Sequence, residues 1–236
     1  MIDTHCHILP GLDDGAPDLA VSLAMARVAA NDGIRTIVAT PHVTADGVGP
    51  EPALVRERVA ELQAAITAEG LALQVLPGTE YAASDVLATL AKAGQVMTVA
   101  DQGRHVLVEM FFNARTDFIE QLVFALQIAG LTPVIAHPER SLMAREKPQV
   151  LRELALRGCL MQVNCASLTG DEGRAIQNVA QALLREGLVD LIATDAHDPR
   201  RRPPLLSPCA ARLKKLGASE VYETATQTTP AKLIGG

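Results

Sequence analysis

Seven short apolar runs recur along this 236-residue chain, at residues 2–8, 34–39, 71–76, 105–108, 132–136, 160–163 and 189–193. Nearly all lead into segments whose apolar residues return at helical spacing. Asp18 is placed to cap a helix carrying Leu19, Leu23, Ala26 and Ala30 that stops at Gly33, and Val55, Val59, Leu62 and Ile66 mark a second helix. Further helices are expected over 84–93, from a cap at Thr116 or Asp117 to Gly130, over 148–157, over 174–186, and between Ser207 and Thr226. Hairpin signals are nearly absent. Strands joined through helices run parallel, so the pattern predicts an α/β fold with a parallel sheet, best as a closed (β/α) TIM-like barrel. An open doubly wound sheet is the alternative, but it would gather functional groups at one switch point. No linker or composition break divides residues 1–236, so a single domain is expected.

In such a barrel the reactive side chains lie at the C-terminal strand ends. There the sequence places His5 and His7, Asp14 in the Asp13-Asp14-Gly15 turn, His42 after Thr40-Pro41, Glu80 after Gly78-Thr79, Glu109, His137, Asp195 and His197. With a side-chain period of two, His5 and His7 share one strand face, while Thr4, Cys6 and Ile8 share the other. The run ending in Asn164-Cys165 offers no obvious ligand, and His105 opens its strand, at the opposite rim. A lone His-x-His is often only a polar pair, but five imidazoles and four carboxylates at strand ends are hard to assemble by accident. A catalytic zinc-type site uses about three protein ligands, so nine residues suffice for two or three ions if a carboxylate bridges.

The set holds oxygen and nitrogen donors and no thiolate, which favours manganese, iron, zinc or magnesium over soft-metal chemistry, and manganese is the ion expected among them. Two ions about 3.5–4 Å apart lower the pKa of a bridging water and clamp both oxygens in phosphoester cleavage. Arg140 and Arg202 are candidates for planar forks on phosphate oxygens, with Arg200 and Arg201 competing for that role and plain surface charge as the alternative for all of them.

Composition narrows the function further. A net charge of −6 argues against a nucleic-acid binder. Hydrophobic residues make up 48% but aromatics only 3%, so the core must be aliphatic. With no leader and no apolar run of eighteen residues, a cytoplasmic protein without membrane insertion is expected. The cysteines Cys6, Cys159, Cys165 and Cys209 show no CxxC spacing and fit buried free thiols.

The opening Ile-Asp-Thr-His-Cys-His-Ile-Leu-Pro-Gly-Leu-Asp-Asp-Gly-Ala, then Ala-Thr-Pro-His42, Pro-Gly-Thr-Glu80, Leu-Val-Glu109, Ile-Ala-His137-Pro-Glu-Arg140 and Ala-Thr-Asp195-Ala-His197 resemble the PHP (polymerase and histidinol phosphatase) superfamily. Within it they resemble the CpsB/YwqE-type manganese-dependent protein-tyrosine phosphatases of bacterial capsule and exopolysaccharide systems. The resemblance spans nearly the whole chain. It implies a distorted seven-stranded (β/α) barrel with a trinuclear site, the nine residues above as its ligands and Arg140 and Arg202 as phosphate binders. It also implies a cognate bacterial tyrosine kinase, with a Tyr-rich tail, as substrate; a homo-oligomer is left open.

No cysteine is followed by Arg six positions on, so Cys-x5-Arg phosphatase chemistry is unavailable and hydrolysis would use a metal-activated water. Two departures stand out. The loop Val43-Thr-Ala-Asp-Gly-Val-Gly lacks the basic or aromatic residues associated with the family there, and Thr229-Pro230 replaces the usual Asn-Pro. The rivals are a small-molecule phosphatase of the histidinol-phosphate type, a 3′-exonuclease, and a metal-containing regulatory protein without turnover.

Overall fold

The structure, a computed structural model, describes residues 1–111 and 115–235. Every expected apolar run overlaps a strand: β1 (Ile2–Cys6), β2 (Thr36–Ala39), β4 (Gln74–Pro77), β6 (His105–Glu109), β7 (Thr132–Ala136), β8 (Leu160–Asn164) and β9 (Leu191–Ala193). Two short strands were not anticipated, β3 (His42–Val43) and β5 (Glu80–Ala82). All pairings are parallel, in a sheet ordered β1-β2-β4 and a sheet ordered β3-β5-β6-β7-β8-β9.

The two extra strands arise because the second and third runs are broken. Pro41 has no N–H to donate to a ladder, and Thr40-Pro41 separates β2 from β3. Gly78-Thr79 separates β4 from β5. A Cβ at Gly78 would sit 2.7 Å from Val38 Cγ1 and 3.2 Å from the Ala39 carbonyl, so only glycine lets the two chains pass this closely. Before the breaks Ala39 pairs with Pro77, and after them His42 pairs with Glu80 in the other sheet. The kinks therefore set two ionisable side chains next to each other. At the other junction β1 meets the chain leaving β9 through a bridge between Cys6 and Ala196, with His7 N donating to Ala196 O and Asp195 N to His5 O, each at 2.8 Å. Among the described residues the ladders are two, joined at that bridge, and not one uninterrupted closed ladder.

Helices Leu19–Asp32, Pro52–Ala68, Asp85–Lys92, Thr116–Ile128, Pro148–Leu156, Arg174–Arg185 and Ser207–Lys215 account for the helical periodicity. Asp18 caps the first, its carboxylate accepting Val21 N at 2.9 Å, and Gly33 closes it at a left-handed φ of 93°. The cap expected at Thr116 or Asp117 is absent. Arg115 occupies the position, without a side-chain capping bond, and its guanidinium forks onto Asp117 at 2.6 and 3.1 Å.

The core is aliphatic, as the scarcity of aromatics requires: Ile8, Met25, Ile34, Ile37, Leu62, Ile66, Ile119 and Leu126 are fully buried. All four cysteines are buried and free. Among the described residues no helix is long and apolar enough to cross a membrane.

Candidate metal centre

The C-terminal strand ends converge on one spot. Ligand atoms of four groups lie within 4.8 Å of one another: His5, His7 and Glu80; His5, His137 and Asp195; His7, Asp14, His42 and His197; and His42, Glu80 and Glu109. Together these groups contain every one of the nine side chains singled out from the sequence. Glu80 is at the hub. Its buried Oε2 lies 3.1 Å from His5 Nε2, 3.4 Å from His7 Nε2 and 3.0 Å from His42 Nδ1, yet at angles that leave it without a hydrogen-bond partner. Oε1 lies 3.1 Å from His137 Nε2. His5 Nε2 and His7 Nε2 face each other at 3.1 Å. Lone pairs directed at a shared interior point with too few protons between them are costly unless a cation fills the space. The donor set therefore fits divalent ions.

A buried layer behind the candidate ligands sets their orientation. Asp195 Oδ2 can only accept, so Asn164 turns its Nδ2 toward it at 3.0 Å. Asn164 Oδ1 then accepts Gln162 Nε2 at 2.8 Å, which leaves Gln162 Oε1 facing His5 Nδ1 at 2.8 Å. The carboxylate at one end thus fixes the His5 tautomer at the other: Nδ1 carries the proton and Nε2 is free to ligate. β8, which offers no ligand, supplies both amides. His7 Nδ1 bonds Asp13 Oδ2 at 2.7 Å, and Asp13 also accepts His42 N at 3.1 Å and Gly15 N at 3.0 Å. Any side chain at Gly15 would collide with the His7 carbonyl, so the turn tolerates only glycine there.

Two candidate ligand positions lie in the left-handed region that non-glycine residues avoid, His137 at φ 31° and Asp195 at φ 53°. Buried Asp3 pins the second, accepting Thr194 N at 3.0 Å and Thr194 Oγ1 at 2.5 Å. Glu139, also buried, accepts Asn164 N at 2.9 Å. Asp3, Asp13, Glu139, Gln162 and Asn164 were not singled out as site residues from the sequence. For Gln162 and Asn164 a signal existed, since they are polar residues at alternate positions of a strand, the same pattern as His5 and His7.

Charge in the cluster is strongly coupled. Burial alone would depress His7, but Asp13, Asp195 and Glu80 outweigh it and raise its pKa well above the ordinary imidazole value. Burial likewise opposes the proton on His137, and Glu80 and Asp195 overcome it, to about 9. For Glu80 and Asp195 burial favours the neutral acid, and the surrounding imidazoles, His5 foremost, hold both carboxylates well below their usual range. His197 goes the other way, lowered to about 4 by burial and then by neighbouring His7. His105, at the opposite end of β6, belongs to none of the four groups.

Arg140 Nη1 and Arg202 Nη2 both donate to Asp195 Oδ2, at 2.8 and 2.7 Å. With Asn164 as a third donor, that oxygen is saturated and Oδ1 is left toward His5 and His7, at 3.5 and 3.4 Å. Arg200 and Arg201, the competing candidates, have no ion pair among the described residues. Two cavities, each of about 450 Å³, share no lining residue; the first borders the cluster through Arg140 and Arg202, and the second includes Asp14, His42 and Glu109. One is walled by Arg140, Thr169, Arg200, Arg201 and Arg202, the other by Leu12, Val43, Val48 and Phe111 next to His42 and Glu109.

The CpsB/CapC family model (capsular polysaccharide synthesis) matches residues 1–235. Tyrosine-protein phosphatase YwqE of Bacillus subtilis (strain 168) is 41% identical over 203 residues, 86% of this chain and 79% of the relative. Tyrosine-protein phosphatase CpsB of Streptococcus pneumoniae is 31% identical over 245 residues, 99% of this chain and 98% of the relative. In a crystallographic study of YwqE from Bacillus subtilis and CpsB from Streptococcus pneumoniae, described as unique metal-dependent tyrosine phosphatases, the matching structure has a TM-score of 0.92 at 37% identity, covering 99% of this chain and 94% of that one.

Proposed function

The chain belongs to the CpsB/CapC family, and from that membership we propose that it is a metal-dependent protein-tyrosine phosphatase of a bacterial capsule or exopolysaccharide system. The observation that carries the reading is the convergence of nine imidazole and carboxylate side chains around the unpartnered Glu80 Oε2, with two guanidinium groups at their edge. His5, His7, Asp14, His42, Glu80, Glu109, His137, Asp195 and His197 would hold two or three ions; because every donor is oxygen or nitrogen, manganese, iron, zinc or magnesium fits, and we take manganese as the ion. When bound, the ions supply Lewis acidity and an activated water.

The remaining work falls to the chain itself. Arg140 and Arg202 present N–H donors to the equatorial phosphate oxygens. Leu12, Val43, Val48 and Phe111 give the tyrosine ring an apolar wall beside His42 and Glu109. A phenol has a pKa near ~10, so its departure needs little help from a general acid. The burial of all four cysteines supports the same route, and it pushes the Cys6 and Cys209 thiols well up and that of Cys159 to about 11.

The finer architecture is part of the proposal. With β2 and β3 counted as one broken strand, and β4 and β5 as another, residues 1–236 make a single domain around a distorted seven-stranded barrel. The substrate we propose is a cognate bacterial tyrosine kinase, met in the cytoplasm. The test compares turnover of a phosphotyrosine peptide, histidinol phosphate and single-stranded DNA by manganese-loaded protein, with and without chelator. The peptide is expected to be the best substrate and chelation to abolish its hydrolysis. Full activity after chelation, or preference for either other substrate, overturns the reading.

A further inference from the structure

Resting on the phosphotyrosine reading above, we propose that the arginine-walled cavity is a second anion subsite, which takes an acidic side chain flanking the phosphotyrosine in the substrate peptide. The cavity has a volume of about 450 Å³, enough for a glutamate or phosphotyrosine side chain, and it begins where the centre ends: Arg140 and Arg202 are common to both. Its outer wall is Arg200 and Arg201, neither of which has an acidic partner within ion-pair distance among the described residues, although both are exposed.

The loop that carries them is held in place by its backbone. The Asp198 carboxylate accepts the main-chain N–H groups of Arg200 at 2.7 Å, Arg201 at 2.6 Å and Arg202 at 3.2 Å, and His197 N donates to Arg202 O at 3.0 Å. Pro203 and Pro204 then stiffen the exit. Asp198 thus directs its lone pairs at amides and not at guanidinium groups, and three successive arginines are presented on a preorganised turn. Two acids share the cavity: Asp171 accepts Thr169 Oγ1 at 2.6 Å, and Glu172 accepts Ser167 Oγ at 2.5 Å and pairs with Arg140 Nη2 at 3.8 Å. Arg140 and Arg202 are offset by Asp195 and Glu172, so the unpaired positive charge of the lining, among the described residues, lies at Arg200 and Arg201, on a chain whose net charge is −6.

A chain of that net sign repels acidic peptides at long range, so local attraction here has a purpose only if the ligand is anionic. The geometry limits which anion. Arg140 and Arg202 are half-buried against Asp195, whereas Arg200 and Arg201 are exposed; an extended peptide advances about 3.3–3.6 Å per residue, so the acidic residue is placed one or two positions from the phosphotyrosine. Carboxylate and phosphate share the chemistry a guanidinium fork recognises.

The experiment uses the full chain loaded with manganese and three peptides of equal length: phosphotyrosine with neutral flanks, with flanking glutamates, and with a flanking second phosphotyrosine. Binding is read by fluorescence anisotropy and turnover by phosphate release, with p-nitrophenyl phosphate as a substrate that has no flanks. Acidic flanks are expected to tighten binding and lower KM by about five- to tenfold at low salt, an advantage that shrinks as salt is added. The Arg200→Glu/Arg201→Glu double variant is expected to erase it, with p-nitrophenyl phosphate turnover within about twofold of wild type, since the fork-forming residues are untouched. A gain for both acidic peptides supports a general anion site, and a gain for the second phosphotyrosine alone supports a phosphate site.

Equal affinity for all three peptides in the wild type, or a preference that survives the double variant, overturns the subsite. Absence of turnover with every phosphotyrosine substrate would instead overturn the phosphatase reading, and the anisotropy arm would still report on the subsite.

Discussion

The inner and outer halves of the candidate centre are built differently. Glu80 and Asp195 have side chains 0% and 2% exposed, whereas Asp14 and Glu109 are 71% and 34% exposed. The inner ligands rise from β1, β5 and the end of β9 and are held from behind by Gln162, Asn164, Asp13 and Asp3. Asp14 sits in an open turn, within 3.5 Å of His42 and His197 and with no hydrogen bond behind its carboxylate among the described residues. A ligand locked by buried partners gains metal affinity from preorganisation, while a flexible one must be ordered on binding. The same contrast separates consequences: an inner deletion leaves buried charge uncompensated, an outer one lets water take the vacant position.

The sharpest attempt to break that comparison is Asp195→Ala. It removes a ligand, the anchor of Arg140 and Arg202 and the end of the amide chain together, so kcat on phosphotyrosine peptide is expected to fall by about 10³-fold or more. Metal retained after gel filtration should fall with it. A variant with near wild-type turnover and metal content would remove the inner half from the account. Next in size is Gln162→Leu, which keeps the volume and deletes the bond to His5 Nδ1. Loss of such a partner weakens metal affinity by about 10- to 100-fold. Gln162→Glu keeps an acceptor facing His5 and should recover part of the loss, an outcome that a merely structural role for Gln162 does not require.

What was legible in the sequence divides along the same line. The nine candidates could be singled out because each stands within, at the end of or in the turn just after an apolar run, and an ionisable group there needs no tertiary contact to be noticed. Gln162 and Asn164 are uncharged and end a run judged empty, and their importance lies in contacts across 157 and 31 positions of chain. Between adjacent Asp13 and Asp14 nothing local decides which carboxylate backs His7 and which faces the cluster. The parallel α/β layout followed from alternating periodicities, but β3 and β5, at two and three residues, are too short to have a periodicity. Their existence depends on a proline and a glycine that break strands whose pairing is set elsewhere in the fold. Thr116 and Asp117 are already helical, one position later than a cap would stand, and Asp117 pairs with Arg115 in front of them.

Protons offer a third test. In the metal-free protein His137 titrates at about 9, so at neutral pH an incoming ion must displace its proton. Apparent metal affinity is therefore expected to rise by about tenfold per pH unit for that one proton up to about pH 9, then level off. Titration calorimetry in buffers of different ionisation enthalpy would count the release, and a pH-independent affinity between 6 and 9 contradicts it. The sign for stability is opposite. A raised imidazole pKa stabilises the metal-free fold fully below the ordinary value of about 6.5, and that contribution is lost as pH rises through about 9. His197, at about 4, has no proton to give up at neutral pH, so the group it shares with Asp14 should load with less pH dependence from that residue.

The smallest effect is expected at the outer edge. Asp14→Ala deletes an exposed carboxylate whose neighbours His7, His42 and His197 remain in place. Water can complete the coordination, so turnover should fall by only about three- to tenfold and be restored by raising the manganese concentration. Asp13→Ala, one residue away, removes the partner of His7 and an acceptor for two backbone N–H groups, and should resist such rescue. Assaying the two variants across a manganese titration asks directly whether enclosure separates the halves. Equal losses with equal rescue would show that position in the turn, and not the hydrogen bonding behind the ligand, sets the contribution of each carboxylate.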